Sequence, residues 1–449
     1  MVKVTKLDEK GQPIPDDEAA NEAGEQAAEE ESGPTVELVI EADDGEEEEE
    51  EEEEYADISC GVLEKSTEPK LDFSPCAMPS KAGGKPVWLA LDGLPAVEDL
   101  ACPECHVQMV FLLQIQSSID RPDEAAFYRA VYVFCCKKCN RYAAFRCQLP
   151  DKNVYYQPEA LGTDDEPAPL RPRAPREPTC QICGCAAPKT CSKCHHAHYC
   201  CEHHQILAWR GGHGKLCGTK SSATEKAAAK QVIDDQGLKL PEYLIVTEDE
   251  PDTDEPDPAL DKRIHDLEES CRENGGVVDA ETAMRDGDVD DTENLKKLVD
   301  LEFLRFQRRL RRMPDQVLRY MHGNVGRAFY DDQDEDDGGI LEPLWCSVMG
   351  RPGPADIPRC ENCGAERVPE FQIMPQIIEL LGVSVHSGMD FGTVVVYTCS
   401  QSCCEKKGAK CHYMKEFVWV QMPAAGLKPE EEAKKAAAAA AKGDDDDDD

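Results

Sequence analysis

The stretch "CQICGCAAPKTCSKCHHAHYCCEHHQILAWRGGHGKLC", from Cys180 to Cys217, constrains this chain more than any other feature. It holds eight cysteines and six histidines in thirty-eight residues, too small a piece to build a hydrophobic core of its own. CxxC places two thiolates on one tight turn, and zinc asks for four tetrahedral S/N ligands. Two such pairs are present, Cys180/Cys183 and Cys191/Cys194, followed by Cys200-x3-His204 and His213-x3-Cys217. A spacing of four positions puts each later pair one helical turn apart on one face. Eight ligands in four pairs predict two zinc sites. Cys201 in place of Cys200, and His203 in place of His204, remain open alternatives; Cys185, His195, His196 and His198 are left as spectators.

Disulfides are the competing use of so many cysteines, and they belong to oxidising compartments. The start of the chain, "MVKVTKLDEKGQPIPDDEAA", is polar and acidic, without the apolar segment of a secretory leader. No apolar run approaches the ~18 residues of a membrane span. The expectation is therefore a chain of a reducing compartment, with no membrane partner, whose paired cysteines bind metal.

The net charge of −42 is unevenly spread. Residues 1–54 carry −20, 248–262 carry −7, 331–337 carry −6 and 428–449 carry −5, which is −38 of the total. Runs of like charge repel, bury nothing and are read as solvated arms and linkers. Such arms can also screen a cationic partner. The predicted organisation is a disordered acidic arm (1–55), a Cys-containing segment (75–157) and a Pro/Arg-rich hinge (158–179). The metal module (180–217), a tether with acidic linker (218–262), a second Cys-containing segment (293–422) and an acidic tail (428–449) follow.

The two outer segments read as copies. "GGKPVWL", "CPECHVQMVFLLQI", "VYVFCCKKC" and "FRCQ" are matched in order by "GGILEPLW", "CENCGAERVPEFQIMPQI", "VVVYTCSQSC" and "FVWVQ". In both, a β-branched and aromatic run ends in a second cysteine cluster. The predicted fold class is α+β: small, β-rich, duplicated half-domains packed as one domain, with the binuclear finger inserted between them. Cys102, Cys105, Cys136 and Cys139 have zinc-ribbon spacing, as do Cys360, Cys363, Cys399 and Cys403, so each half-domain is expected to be stapled by one further zinc. Buried free thiols are the competing reading. Before the second copy, "TENLKKLVDLEFLRFQRRLRRMP" has helical spacing of Leu295, Leu298, Val299, Leu304 and Phe306 and stops at Pro314. Its arginines, Arg305, Arg308, Arg309, Arg311 and Arg312, read as a solvated face neutralised by acidic flanks rather than a phosphate site.

Catalytic grammar is missing. "DFG" at Asp390–Gly392 stands without a Gly-rich loop, a catalytic-loop HRD or its lysine, and there is no P-loop, GxSxG or HExxH. Closed four-ligand zinc sites leave no position for a reactive water. An enzyme is not expected.

The central stretch resembles the MYND zinc finger, including "HYC" and the ending formed by Trp209, Arg210, Gly212, His213 and Cys217. That resemblance implies alternating pairs: Cys180, Cys183, Cys200 and His204 on one zinc, and Cys191, Cys194, His213 and Cys217 on the other. It also implies binding of short proline-containing peptides. With "PSKAGGKPVWL", "QLPDKNVYY", "PDQVLRY" and the duplicated motifs, the chain resembles the programmed cell death protein 2 family over roughly residues 78–157, 176–220 and 293–422, the acidic arm, linkers and tail excepted. The resemblance implies a non-enzymatic ribosome-assembly factor, a dedicated chaperone of a cationic small-subunit ribosomal protein, found in cytoplasm and nucleus. The alternative is a nuclear adaptor whose finger recruits proline-containing corepressor peptides. Direct nucleic-acid binding is disfavoured by the charge. The expected client surface is the aromatic set Trp88, Phe111, Trp345, Phe371 and Trp419, on strands that offer an edge or groove.

Overall fold

Runs rich in Val, Phe and Tyr fold as strands, as β-branched and aromatic content favours. A computed structural model describes residues 58–65, 79–90, 92–117, 119, 126–150, 153–157, 171–172, 177–218, 239–254, 256–273, 292–325, 340–383, 388–404 and 413–423. The arm over 1–55 and the tail over 428–449 lie outside these residues. In chain order the strands are β1 Ile58–Glu64, β2 Lys81–Ala82, β3 Val110–Gln116, β4 Tyr128–Cys136 and β5 Arg141–Leu149. The short pairs β6 Tyr156–Gln157 with β7 Arg171–Pro172, and β8 Lys189–Thr190 with β9 His198–Tyr199, come next. Then follow β10 Tyr243–Asp249, β11 Gln316–Met321, β12 Arg367–Ile373, β13 Thr393–Cys399 and β14 Met414–Gln421.

Ten of these strands close one antiparallel barrel in the order β1-β10-β2-β3-β4-β5-β14-β13-β12-β11, with β11 returning to β1. This corrects the expected α+β fold of two small half-domains packed together: the chain is β-rich with few helices, and both segments build a single ring. The reason is edge satisfaction. Alone, β2–β5 and β11–β14 would each be a four-stranded sheet with two open edges, and closure removes them. Pairing of Lys415 with Phe145 joins β14 to β5 on one side. On the other side each leading strand crosses over. β1 precedes β2 in sequence yet pairs with β11, while β10 precedes β11 yet pairs with β2. β1 and β10 also pair with each other, from Ser59↔Asp249 to Glu64↔Leu244.

The duplication is visible inside the ring. Cys102 and Cys360, Cys105 and Cys363, and Gln114 and Gln372 all lie 258 positions apart. Gln114 Oε1 accepts from the Val87 amide at 2.8 Å, and Gln372 Oε1 accepts from the Leu344 amide at 2.7 Å, each just before the repeat's tryptophan. β3 and β12 carry a bulge at the matching place, with Leu112 as the extra residue in one and Glu370 in the other. Alternation along β4 sends Val131, Val133 and Cys135 into a core shared with Leu318, Phe371 and Val394 of the second repeat. Tyr132, Phe134 and Cys136 face the opposite way, into a core shared with the finger.

Charged side chains tie the repeats together. Glu370 is fully buried, paired with Arg129 of β4, whose Nη2 lies 2.7 Å from Oε2. Tyr320 and Ser117 hydroxyls donate to Oε1 at 2.9 and 3.0 Å, and Thr398 donates to Oε2 at 2.5 Å. Glu416 of β14 accepts from Arg146 Nε of β5 at 2.7 Å and from Arg367 Nε of β12 at 3.2 Å.

The helices are α1 Glu202–Ala208, α2 Gly214–Leu216, α3 Pro258–Glu273, α4 Thr292–Leu310 and α5 Gln376–Leu380. α4 is the helix whose apolar spacing the sequence displays; Leu298, Val299 and Leu304 pack on Leu260 and Ile264 of α3. The region read as an acidic linker supplies β10 and α3, because its acids have partners. Glu250 pairs with Arg309 and Arg319, Asp254 with Arg308 and Arg312, Asp257 with Arg311, and Glu268 with Arg305.

Candidate metal centres

Each CxxC pair sits on the same backbone device. In three of them the amide of the first cysteine bonds to the carbonyl five positions on, Cys102 to Val107 at 2.9 Å, Cys180 to Cys185 at 2.8 Å and Cys360 to Ala365 at 2.8 Å, while Cys191 bonds to Ala197, six positions on, at 2.8 Å. The residue after the second cysteine turns back to the first carbonyl with positive φ. His106 (57°), Asn140 (52°), Gly184 (77°), His195 (56°) and Gly364 (76°) all do so. The outer cysteine pairs are therefore built as the finger's are. Such turns aim amides at sulfur, which favours the thiolate that a metal requires. Amides of Cys194 and Val107 hold the Cys191 and Cys105 thiols down, at about 6 and about 7 respectively.

Four groups of donor atoms converge, each within 4.8 Å of one another: Cys102, Cys105, Cys136 and Cys139; Cys180, Cys183, Cys200 and His204; Cys191, Cys194, His213 and Cys217; Cys360, Cys363, Cys399 and Cys403. A tetrahedral zinc with Zn–S near 2.3 Å separates its sulfurs by roughly 3.8 Å, and sulfur from imidazole nitrogen by roughly 3.6 Å. Most of the observed separations match, the 3.1 Å between Cys200 Sγ and His204 Nδ1 being shorter. Cys183 and Cys200 sulfurs are 3.6 Å apart, Cys191 and Cys217 3.8 Å, and Cys180 Sγ lies 3.6 Å from His204 Nδ1. Cys194 Sγ lies 3.7 Å from His213 Nε2. In the outer groups, Cys105 and Cys136 are 3.6 Å apart, and Cys360/Cys403 and Cys363/Cys399 are both 3.5 Å. Each of these groups could hold a metal ion, and none of these distances is that of a disulfide.

The alternating assignment of the finger pairs is the one the structure brings together. Cys201 is instead the cap of α1, its sulfur accepting from the His204 amide at 3.5 Å. Cys200 stands ahead of the helix rather than on it, and His213 follows a wide turn, Trp209–His213, kinked at Gly212 with φ 133°. The expected helical pairing thus fails for Cys200 and His204 and holds for His213 and Cys217, which flank α2, and the donors meet in both.

The finger is seated against the first repeat. Trp88 Nε1 donates to the Gly184 carbonyl at 2.8 Å, and its ring packs on Tyr132, Phe134 and Tyr413. A Cβ at Gly184 would meet Lys85 Cβ at 2.9 Å, so only glycine fits this approach. Trp88, Phe111, Trp345 and Phe371 are 3%, 2%, 7% and 0% exposed, so the structure corrects their expected role as a client surface: they are core. Trp419 is half-buried, its Nε1 held by the Gly350 carbonyl at 2.7 Å. Trp88→Ala is expected to lower stability by about 3–5 kcal/mol in a thermal or denaturant melt. Trp88→Phe, which keeps the packing and loses the bond to Gly184, should cost about 1 kcal/mol.

Family models match at both ends of the ring: "Programmed cell death protein 2, N-terminal domain" over residues 57–162 and "Programmed cell death protein 2, C-terminal putative domain" over 300–422. The mouse protein named Programmed cell death protein 2 is 35% identical over 353 residues, covering 76% of this chain and 90% of its own length. The bovine protein of that name is 33% identical over 353 residues, with the same coverage. Mouse Programmed cell death protein 2-like is 27% identical over 364 residues, 72% of this chain and 85% of its own. No solved structure matches. A barrel assembled from both matched segments together with β10, carrying four Cys and Cys/His clusters, thus goes with relatives at up to 35% identity across three quarters of the sequence, and the chain belongs to the programmed cell death protein 2 family.

Proposed function

We propose that this chain is a zinc-dependent, non-enzymatic escort of a strongly cationic small-subunit ribosomal protein, acting in 40S assembly in cytoplasm and nucleus. Zinc occupies four sites in this reading, two in the finger and one in each outer cluster. The observation that carries the reading is the disposition of charge. The chain has a net charge of −42, and the five arginines of its most basic run, Arg305 to Arg312, all pair with its own acids. Such a molecule repels polyanions and attracts cationic partners. It is also the role that resemblance to the family implies. In the ring every strand has a neighbour on each side over at least part of its length, so this reading places client recognition on outer surfaces and acidic segments.

The test is capture from lysate with the intact chain and with a Cys191→Ser/Cys194→Ser variant. The expected result is one cationic small-subunit ribosomal protein in stoichiometric amount with both baits. Recovery of proline-rich corepressors with the intact chain only would overturn it. That second reading has one observation in its favour: Trp209 and Ile206, 45% and 40% exposed, form an apolar patch on the finger.

A further inference from the structure

Where β5 meets β14, the two repeats are joined by only three residue pairs, Met414↔Arg146, Lys415↔Phe145 and Glu416↔Ala144. A cysteine knuckle grips each end of this seam. At one end the first repeat's knuckle, Cys136–Cys139, meets the second repeat. The Gly388 amide donates to the Lys137 carbonyl at 2.5 Å, and Asn140 Nδ2 donates to the Asp390 carbonyl at 2.6 Å. At the other end the second repeat's knuckle, Cys399–Cys403, meets the first. Arg146 Nη2 donates to the Cys403 carbonyl and Gln148 Nε2 to the Ser402 carbonyl, both at 2.8 Å, and the Ser402 hydroxyl donates to Gln148 Oε1 at 2.9 Å. Arg146, Gln148 and Ser402 are all buried. Ser402 sits at φ 39°, a left-handed conformation that its surroundings must hold in place. Whatever fixes the Cys399 and Cys403 sulfurs therefore also fixes the carbonyls that latch the seam.

The two ends differ in access to sulfur. At the first, Cys102 and Cys136 are buried, Cys105 and Cys139 are half-buried, and Arg141 Nε pairs with Glu104 Oε1 at 2.7 Å across the two knuckles. The finger's sulfurs are buried or half-buried too. At the second, Cys363 is exposed, alone in this among the described cysteines, and its sulfur lies 3.5 Å from that of buried Cys399. An accessible thiolate beside a second cysteine is the arrangement that oxidation to a disulfide requires.

We propose that Cys363 and Cys399 form an oxidation site, at which a hydroperoxide converts the pair to a disulfide, releases the cluster's zinc and loosens the β5/β14 seam. This rests on the zinc that the proposed function places in that cluster. With hydrogen peroxide, the Cys363 thiolate attacks one oxygen; the S–O bond forms, the O–O bond breaks, and the departing hydroxide takes a proton to become water. The Cys399 thiolate then attacks the sulfenic sulfur; the S–S bond forms, the S–O bond breaks, and a second hydroxide takes a proton. Two thiolates lose two electrons, and the peroxide is reduced to two waters. Cys360 and Cys403 remain, half of the four donors that zinc requires. With the ion gone, Ser402 and Cys403 are no longer held against Gln148 and Arg146.

The test exposes the full, zinc-loaded chain to one equivalent of hydrogen peroxide. A chromogenic indicator follows zinc release, and mass spectrometry after alkylation of free thiols maps the disulfides. One ion per chain should leave at least about tenfold faster than any other. A Cys363–Cys399 disulfide should accompany it. Amide exchange over Met414–Glu416 should accelerate while exchange in β3 and β4 stays as before, and reductant with added zinc should reverse both. Cys363→His keeps a donor that zinc accepts and removes the thiol, so it should retain the ion and resist peroxide. Cys404→Ser, a half-buried neighbour outside the cluster, should change nothing. First loss from the finger or from the first repeat's cluster overturns the proposal. So does a disulfide without Cys363, or unchanged exchange over Met414–Glu416 after release. A zinc count before oxidation separates these from failure of the underlying reading: if the parent and Cys360→Ser/Cys363→Ser bind equal numbers of ions, the cluster holds no zinc and both fall.

Discussion

Glu370→Ala is expected to lower the unfolding free energy of the barrel by about 3–5 kcal/mol, the usual cost of leaving one partner of a buried ion pair without the other. Arg129 and Glu370 are both fully buried, and the pair joins the two repeats. Removing the carboxylate strands a guanidinium in the core and takes acceptors from Tyr320, Ser117 and Thr398. The double change Arg129→Met/Glu370→Leu should recover part of the loss, because apolar residues of similar size leave no charge to solvate, while the three hydroxyls still lack their acceptor. A denaturant melt of the zinc-loaded chain reads both. A loss under 1 kcal/mol for Glu370→Ala would mean that the pair does not hold the ring.

The same carboxyl gives the barrel a pH dependence. Burial would raise its pKa, but the charge and hydrogen bonds of Arg129 outweigh that and hold it at about 2, against an ordinary 4.5. Folding therefore favours the ionised form, so the contribution is intact above pH 4.5 and fades as pH falls toward 2. The shift corresponds to about 3 kcal/mol. Measured against Glu370→Gln, the stability difference should narrow across that window, and a constant difference would exclude the linkage.

What the sequence displays and what it hides follow from the range of the interactions. The finger was legible because its ligands lie within thirty-eight residues and zinc imposes their spacing. The outer clusters were legible as spacing, and the knuckle turns add what spacing lacks, a common backbone geometry. Barrel closure was not legible. β1 is "ISCGVLE" behind a run of glutamates and β10 ends in "TED", so both look like margins of acidic segments. Their pairing joins positions about 190 apart, which no local periodicity encodes. Glu370 in "RVPEFQI" reads as the solvent-facing residue of a strand; its partner, 241 positions away, makes it core. The aromatics misled in the opposite sense. Conspicuous tryptophans suggest a surface for a client, yet Trp88 and Trp345 are buried in the core.

Zinc removal is the perturbation with the largest expected effect. Native mass spectrometry of the chain purified without chelator should find four zinc ions. Cys360→Ser/Cys363→Ser should remove one and leave three, because that cluster shares no ligand with the others. In the finger the two sets alternate along the sequence, so Cys191→Ser/Cys194→Ser should remove its own ion and weaken the neighbouring site as well. Metal supplies on the order of 10 kcal/mol to the folding of a zinc finger, and this finger shares a core with β4 and β5 through Trp88. Chelation should therefore cost the first repeat more than the second: amide exchange in β4 should accelerate before exchange in β13. Equal acceleration in both would place the finger outside the cooperative unit. Four bound ions with no change in exchange on chelation would make the clusters ornaments of a barrel that stands on its own strand pairing.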